Sequence, residues 1–172
     1  AASIATTTAA EPNPMHMILY SCEYKDGNNE IWPFAAPANK RIQVYYALAG
    51  GAKGLAYWWF KSGYPYNGLN DWGTEARALW DEIGRLGNEI KTAQPLLVTG
   101  HPVSVPLTPS VNVWTRALAS GTDTMIVFAV NDNFYIDQAG THLTPVPNAT
   151  VTVTLPSWMQ PSPTAFEITC GG

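Results

Sequence analysis

The chain has 172 residues, 46% of them hydrophobic and 13% charged, with seven Trp and eight Tyr. That is enough apolar material for a packed core in one or two domains. Nine scattered basic residues against thirteen acidic ones give a net charge of −4, which excludes the clustered Lys/Arg surface a nucleic acid needs. No apolar run reaches the roughly 18–20 residues that span a bilayer, so no membrane partner is expected.

The opening "AASIATTTAAEPNP" is small and uncharged, but it has neither a basic n-region nor a strongly apolar h-region, so it does not read as a signal peptide. It reads as the tail of a helix begun upstream and stopped by Pro12 and Pro14. Met15–Cys22, "MHMILYSC", is a nearly unbroken apolar run, the pattern of a strand buried on both faces. The polar loop "EYKDGNNEIWPFAAP" follows. "ANKRIQVYYALAGG" is predicted as a helix, with Ile42, Tyr45, Tyr46 and Ala49 on one face and Gly50–Gly51 ending it. Gly54–Phe60, "GLAYWWF", is the next strand. In "TEARALWDEIGRLGNEIKTA", Leu79, Ile83, Leu86 and Ile90 form one helical stripe, closed by Pro95.

Strand–helix–strand–helix is the order of a parallel α/β sheet. Two such strands bury too little alone, so further strands, from the same chain or a second one, are expected to complete the sheet. From about Leu96 the texture changes. "VNVWTRALA", "TMIVFAVND", "ATVTVTL" and "AFEITC" are short alternating runs bounded by Gly, Pro, Asn or Asp, the signature of an antiparallel sandwich. The expected division is residues 1–96 as an α/β unit and residues 97–172 as a β-sandwich domain, possessing fewer residues than a full sandwich of ~100. Cys22 and Cys170 are expected as two buried thiols, since two cysteines make no disulfide framework. Much Thr, Pro and Trp with little Lys points toward a secreted or periplasmic protein.

In a parallel α/β arrangement the working face lies at the C-terminal strand ends. Here those ends lead into residues 23–37 and 61–73, which hold carboxylates among flat rings. Sugars suit that chemistry: C–H faces stack on aromatic rings, hydroxyls bond to Asn, Asp and Glu, and cleaving a glycosidic bond takes two carboxyl groups. Glu23 directly follows the first apolar run and is the candidate catalytic carboxylate. Trp32, Trp58, Trp59, Tyr64, Tyr66 and Trp72 are the candidate substrate-binding rings, and strand alternation sends Trp58 and Trp59 to opposite sides. Asp26 and Glu30 sit in "KDGNNE", ordinary turn composition. His16, His101 and His142 share no ligand spacing, so no metal is expected. No glycine-rich phosphate loop and no serine nucleophile elbow is present, and no cofactor is expected.

Taken together, "MILYSCEY", "IWPF", "RIQVYYALAGGAKGLAYWWF" and "LWDEIGRLGNEIKTAQPLL" resemble the last quarter of a (β/α)8-barrel glycoside hydrolase of the retaining clan A type, near the family 42 beta-galactosidases. The β-rich tail, with "TMIVFAVNDNF" and "VTVTLPSWM", is similar to the sandwich often appended to such barrels. The resemblance implies that Met15–Cys22 and Gly54–Phe60 are barrel strands seven and eight of a TIM barrel. It also implies that Glu23 is the nucleophile and that Trp58 or Trp59 stacks on sugar. The acid/base would lie outside these residues, in the remainder of the barrel, and the substrate would be an oligo- or polysaccharide. The alternative is a non-catalytic carbohydrate-binding or scaffold module whose rings grip glycan without a carboxylate pair.

Overall fold

The computed structural model describes residues 13–137, 139–160 and 164–169. The helix expected at the extreme N-terminus, and Cys170, lie outside them. The element order is β1 (His16–Tyr20), β2 (Glu23–Lys25), β3 (Ile31–Trp32), α1 (Pro37–Ala49), β4 (Gly54–Trp58), β5 (Tyr66–Asn67) and α2 (Thr74–Thr99). There follow β6 (His101–Val103), β7 (Leu107–Pro109), β8 (Trp114–Ser120), β9 (Thr124–Val130), β10 (Phe134–Asp137), β11 (Gly140–Leu143) and β12 (Val151–Val153).

The strands form five small sheets. β1 and β4 make a parallel pair in the register His16↔Gly54 to Tyr20↔Trp58. β3–β2–β5 and β6–β8–β9 are three-stranded and antiparallel, and β7–β12 and β10–β11 are antiparallel pairs. This overturns the expected fold class. Instead of the last two units of a (β/α)8 barrel followed by a sandwich, the described residues form mixed small sheets around two helices, with no barrel closure.

The physical reason shows in β1. Its apolar run suggested burial on both faces, yet Leu19 is buried while Ile18 is 65% exposed and Tyr20 is exposed too. Only the face carrying Met17 and Leu19 is covered, by the core that α1 shares. In the second half, the sheet β6–β8–β9 meets helices where a sandwich would place a second sheet. Leu118 and Phe128 lie in one core with Val44, Leu48, Leu86 and Leu97. "AFEITC" forms no strand over its described residues, although Ile168 packs against that core.

Pro37 opens α1 at its first turn, where a missing N–H leaves no bond unmade. The helix ends at Gly50, and Gly51 at φ 91° turns the chain back. The expected one-sided burial is exceeded: Asn39, Lys40, Ile42, Val44, Ala47, Leu48 and Ala49 are all buried. Tyr46 is placed by its hydroxyl, which donates to Asp132 Oδ2 (2.9 Å), and by a T-shaped contact with Trp114 (4.7 Å). The second helix runs past Pro95 to Thr99 because Ala93 and Leu97 are buried, and that burial outweighs the lost backbone bond. Lys53 then caps the helix end by donating through Nζ to the carbonyls of Leu97 (2.7 Å) and Gly100.

The two helices are joined by charge as well as by packing. The buried stripe of α2 includes Glu82 and Glu89 among Ala76, Leu79, Leu86, Ala93 and Leu97. Arg41 of α1 donates through Nη1 to both Glu89 oxygens (2.9 and 2.7 Å), and its Nη2 lies 2.7 Å from Glu82 Oε1. Arg85 holds the other Glu82 oxygen at 2.9 Å, and the Tyr45 hydroxyl donates to Glu89. Burial alone would weaken Arg41's hold on its proton. The Glu89 hydrogen bonds and the two carboxylate charges more than reverse this and push its pKa up.

Removing Arg41 takes the cation away from Glu89, whose side chain is only 1% exposed, and leaves Glu82 to Arg85. Arg41→Ala should therefore cost about 3 kcal/mol of stability, read from urea unfolding. Arg41→Lys, which cannot make the bidentate contact, should recover only part of it. A loss under about 0.5 kcal/mol would place the pair among weak surface bridges.

Candidate functional site

The site is built from two crossings of one short ribbon. In β2–β5, Glu23 pairs with Asn67 and Tyr24 with Tyr66. Both pairs are made by side chains too: Asn67 Nδ2 donates to Glu23 Oε1 (2.7 Å), and the Tyr24 and Tyr66 rings stack at 5.0 Å. Adjacent residues of a strand face opposite ways, so the carboxylate–amide pair lies on one face of the ribbon and the ring pair on the other. Tyr66 also stacks on Trp59 (5.6 Å), and Trp59 contacts Trp58 (4.8 Å). The expectation that Trp58 and Trp59 diverge to opposite sides is corrected here. Alternation holds inside a strand, but β4 ends at Trp58, and the two indoles lie in contact.

The loop after β4 folds back along its own start. Leu69 and Asn70 donate their N–H groups to the carbonyls of Trp59 (3.0 Å) and Phe60 (2.9 Å), while Ser62 N–H donates to Asn70 Oδ1 (2.7 Å). Leu69 is buried as the loop's anchor. A Cβ at Gly68 would run into the Phe60 carbonyl, so only glycine permits this close return. Asp71 Oδ1 then accepts the Gly73 N–H (2.7 Å), forming the turn that starts α2.

On the carboxylate face, Glu23 and Asn67 line a cavity of about 300 Å³ with Phe34, Asp71, Gly73, Thr74, Glu75 and Ala76. Beyond Asp71 lies a second cavity of about 210 Å³, lined by Leu69, Asp71, Trp72, Arg77, Trp80 and Asp81. Of the residues expected from sequence, Glu23 lines the first cavity and Trp72 the second. Trp58, Trp59 and Tyr66 belong to the ring stack behind the ribbon. Trp32 is half-exposed on β3, its carbonyl accepting from the Tyr20 hydroxyl (3.2 Å), and Tyr64 is 86% exposed in the loop. Asp26 serves a turn, accepting the N–H groups of Asn28 and Glu30.

Sequence reasoning missed Tyr24, Asn67, Trp80 and Arg77. Tyr24 and Asn67 could have been found only through the β2–β5 register. Trp80 and Arg77 could have been found from their spacing, since they sit three apart on one turn of a helix already recognised. Among the described residues, no group of three or more His, Cys, Asp or Glu is arranged to hold a metal ion, and no helix is long and apolar enough to cross a membrane.

Beneath the site, α1 fixes the end of β1. The fully buried Lys40 donates through Nζ to the Tyr20 carbonyl and to Gln43 Oε1 (2.8 Å), and its ammonium lies 5.9 Å from the Tyr57 ring centroid. Three residues on from that carbonyl comes Glu23, after the buried Ser21 and the buried free thiol of Cys22. Burial pushes the Lys40 pKa down to about 8, opposed by the neighbouring Cys22, and burial pushes the Cys22 thiol up.

Comparison of the chain with protein-family models, curated proteins and solved structures found no match. Function therefore rests on the chemistry of these side chains.

An unfolded lysine keeps its proton to about pH 10.4, whereas folded Lys40 gives it up near pH 8. Between those values the unfolded chain binds more protons, so the Lys40 contribution makes stability rise with pH. The unfolding free energy of the wild type relative to Lys40→Met should be flat below that window and climb through it. Urea titrations at a series of pH values test this, and a flat difference throughout would contradict the buried ammonium.

Proposed function

We propose that the chain is part of a glycoside hydrolase acting on an oligo- or polysaccharide, with Glu23 as the nucleophile of a retaining reaction. The observation that carries this reading is the Glu23 carboxylate, held by Asn67 Nδ2 at 2.7 Å on the wall of a cavity of about 300 Å³. The cavity is shallow and open to solvent, as an entry for a chain-like substrate would be. The hydrogen bond from the Asn67 side-chain amide fixes one oxygen of the carboxylate. Phe34 supplies an apolar wall, while Asp71, Thr74 and Glu75 supply groups that suit hydroxyls.

In the proposed reaction a Glu23 oxygen attacks the anomeric carbon as the bond to the leaving oxygen breaks. A second carboxylic acid gives its proton to that oxygen. Water then adds to the anomeric carbon of the glycosyl ester, its proton passes to the second carboxylate, and Glu23 is released. Asp71 Oδ1 accepts the Gly73 N–H in the turn that starts α2, and we assign the proton donor to a group outside the described residues.

A second reading has its own observation: the stack Tyr24–Tyr66–Trp59–Trp58 and the exposed Trp32 and Tyr64 lie apart from the Glu23 cavity. Rings alone can hold a glycan, as a non-catalytic carbohydrate-binding module would use them.

Glu23→Gln in the complete protein separates the two. The hydrolase reading predicts a loss of roughly a thousandfold or more in kcat with sugar binding kept, measured by release of reducing ends and by calorimetry. Unchanged turnover would refute Glu23 as nucleophile. A wild type that binds glycan without turnover would favour the binding module.

A further inference from the structure

The second cavity lies next to the Glu23 cavity, and Asp71 lines both. Two indoles face it: Trp72, 82% exposed, and Trp80, 50% exposed. Each has a neighbour against one side. The Arg77 guanidinium lies over Trp72 at 5.2 Å from the ring centroid, and Phe60 packs against Trp80 at 6.2 Å. Arg77 and Asp81 also line the cavity, so fork-shaped donors and a carboxylate acceptor stand beside the rings. Large exposed indoles in pairs, with convergent polar groups between them, are what a flat amphipathic ring requires of a binding site. The cavity's charges are Asp71 and Asp81 against Arg77, and Glu23 and Glu75 add two more carboxylates next door. An anionic sugar entering this cleft would meet an excess of like charge.

We propose that the Trp72–Trp80 cavity is a second subsite, which takes the next residue of a neutral glycan chain whose neighbouring residue lies against Glu23. The substrate class is thereby a neutral oligo- or polysaccharide of several units. Uronate-rich and sulfated chains are excluded, as is a simple sugar with a small aglycone. This inference rests on the carbohydrate reading above and extends it, because both cavities must be filled by one ligand.

The test uses the complete protein carrying Glu23→Gln to stop turnover. Calorimetry is run with monosaccharides and hexasaccharides of the gluco-, xylo-, manno- and galacto-series, and with an oligogalacturonate. The parent should bind a neutral hexasaccharide more tightly than the matching monosaccharide. Trp80→Ala and Trp72→Ala should each lower hexasaccharide affinity by about tenfold while leaving monosaccharide affinity unchanged. The exposed Trp72 keeps the test valid where Trp80→Ala fails to fold, which circular dichroism reports. Equal losses for monosaccharide and hexasaccharide, or no loss, would overturn the second subsite while leaving the first reading standing. Preference for the oligogalacturonate would overturn the neutral class. Failure of the parent to bind any of these sugars would overturn the carbohydrate reading and the subsite together.

Discussion

The Arg41 guanidinium, set between Glu82 and Glu89, is the constraint on which the rest of the arrangement depends. Two carboxylates on the core-facing stripe of α2 have a large desolvation cost, which Arg41 of α1 offsets at Glu89 and shares with Arg85 at Glu82. The clamp therefore does more than add attraction. It disfavours alternative rotations of the two helices, because they would take the cation away from the buried Glu89. Everything at the site hangs from these helices. α1 carries Lys40, which grips the end of β1 before Glu23, and α2 carries Glu75, Arg77, Trp80 and Asp81 into the two cavities.

A second constraint is the ribbon β2–β5. Its register places Glu23 opposite Asn67 and Tyr24 opposite Tyr66, so one short crossing produces a polar face and an aromatic face. A slip by a single residue would send the carboxylate into the ring stack. The loop that returns from β4 holds this register, since Leu69 is tucked under it and the Gly68 backbone lies against the Phe60 carbonyl. The same loop delivers Asp71, the one side chain common to both cavities. The aromatic wealth of residues 57–66 is thus divided. Three of those six rings, Trp58, Trp59 and Tyr66, build the back of the ribbon, and the indoles facing the cavities come later, from residues 72 and 80.

Helix periodicity was legible because it is local: Leu79, Leu86 and the Gly50–Gly51 stop are set within a few turns of chain. What escaped was every feature decided at a distance. The apolar run around Ile18 has the same pattern whether one face or two are covered, so exposure of Ile18 could not be read from it. Glu82 and Glu89 look like a solvated face until Arg41, far back in the chain, is placed against them. Tyr24 and Asn67 acquire meaning only from strand pairing. The same limit explains the barrel expectation, since residue patterns around β1, α1 and β4 describe a strand–helix–strand unit without saying what closes round it. Glu23 was legible because a carboxylate directly after an apolar run has few places to go. Trp80 escaped because it lies beside the Leu79–Ile83–Leu86–Ile90 stripe, and only the fold shows that its side of the helix lines a cavity.

The account turns on whether Glu23 forms a covalent bond to sugar. The most direct measurement is to treat the complete protein with 2-deoxy-2-fluoro glycosyl fluorides of the gluco-, galacto-, manno- and xylo-series. The fluoride leaves without a proton from a general acid, so the result does not depend on the second carboxyl group. Proteolysis and peptide mass spectrometry then locate the label. The account predicts a fluoroglycosyl ester on the peptide containing Glu23, absent from Glu23→Gln. A label on another carboxylate, or no label from any of these sugars, would contradict it.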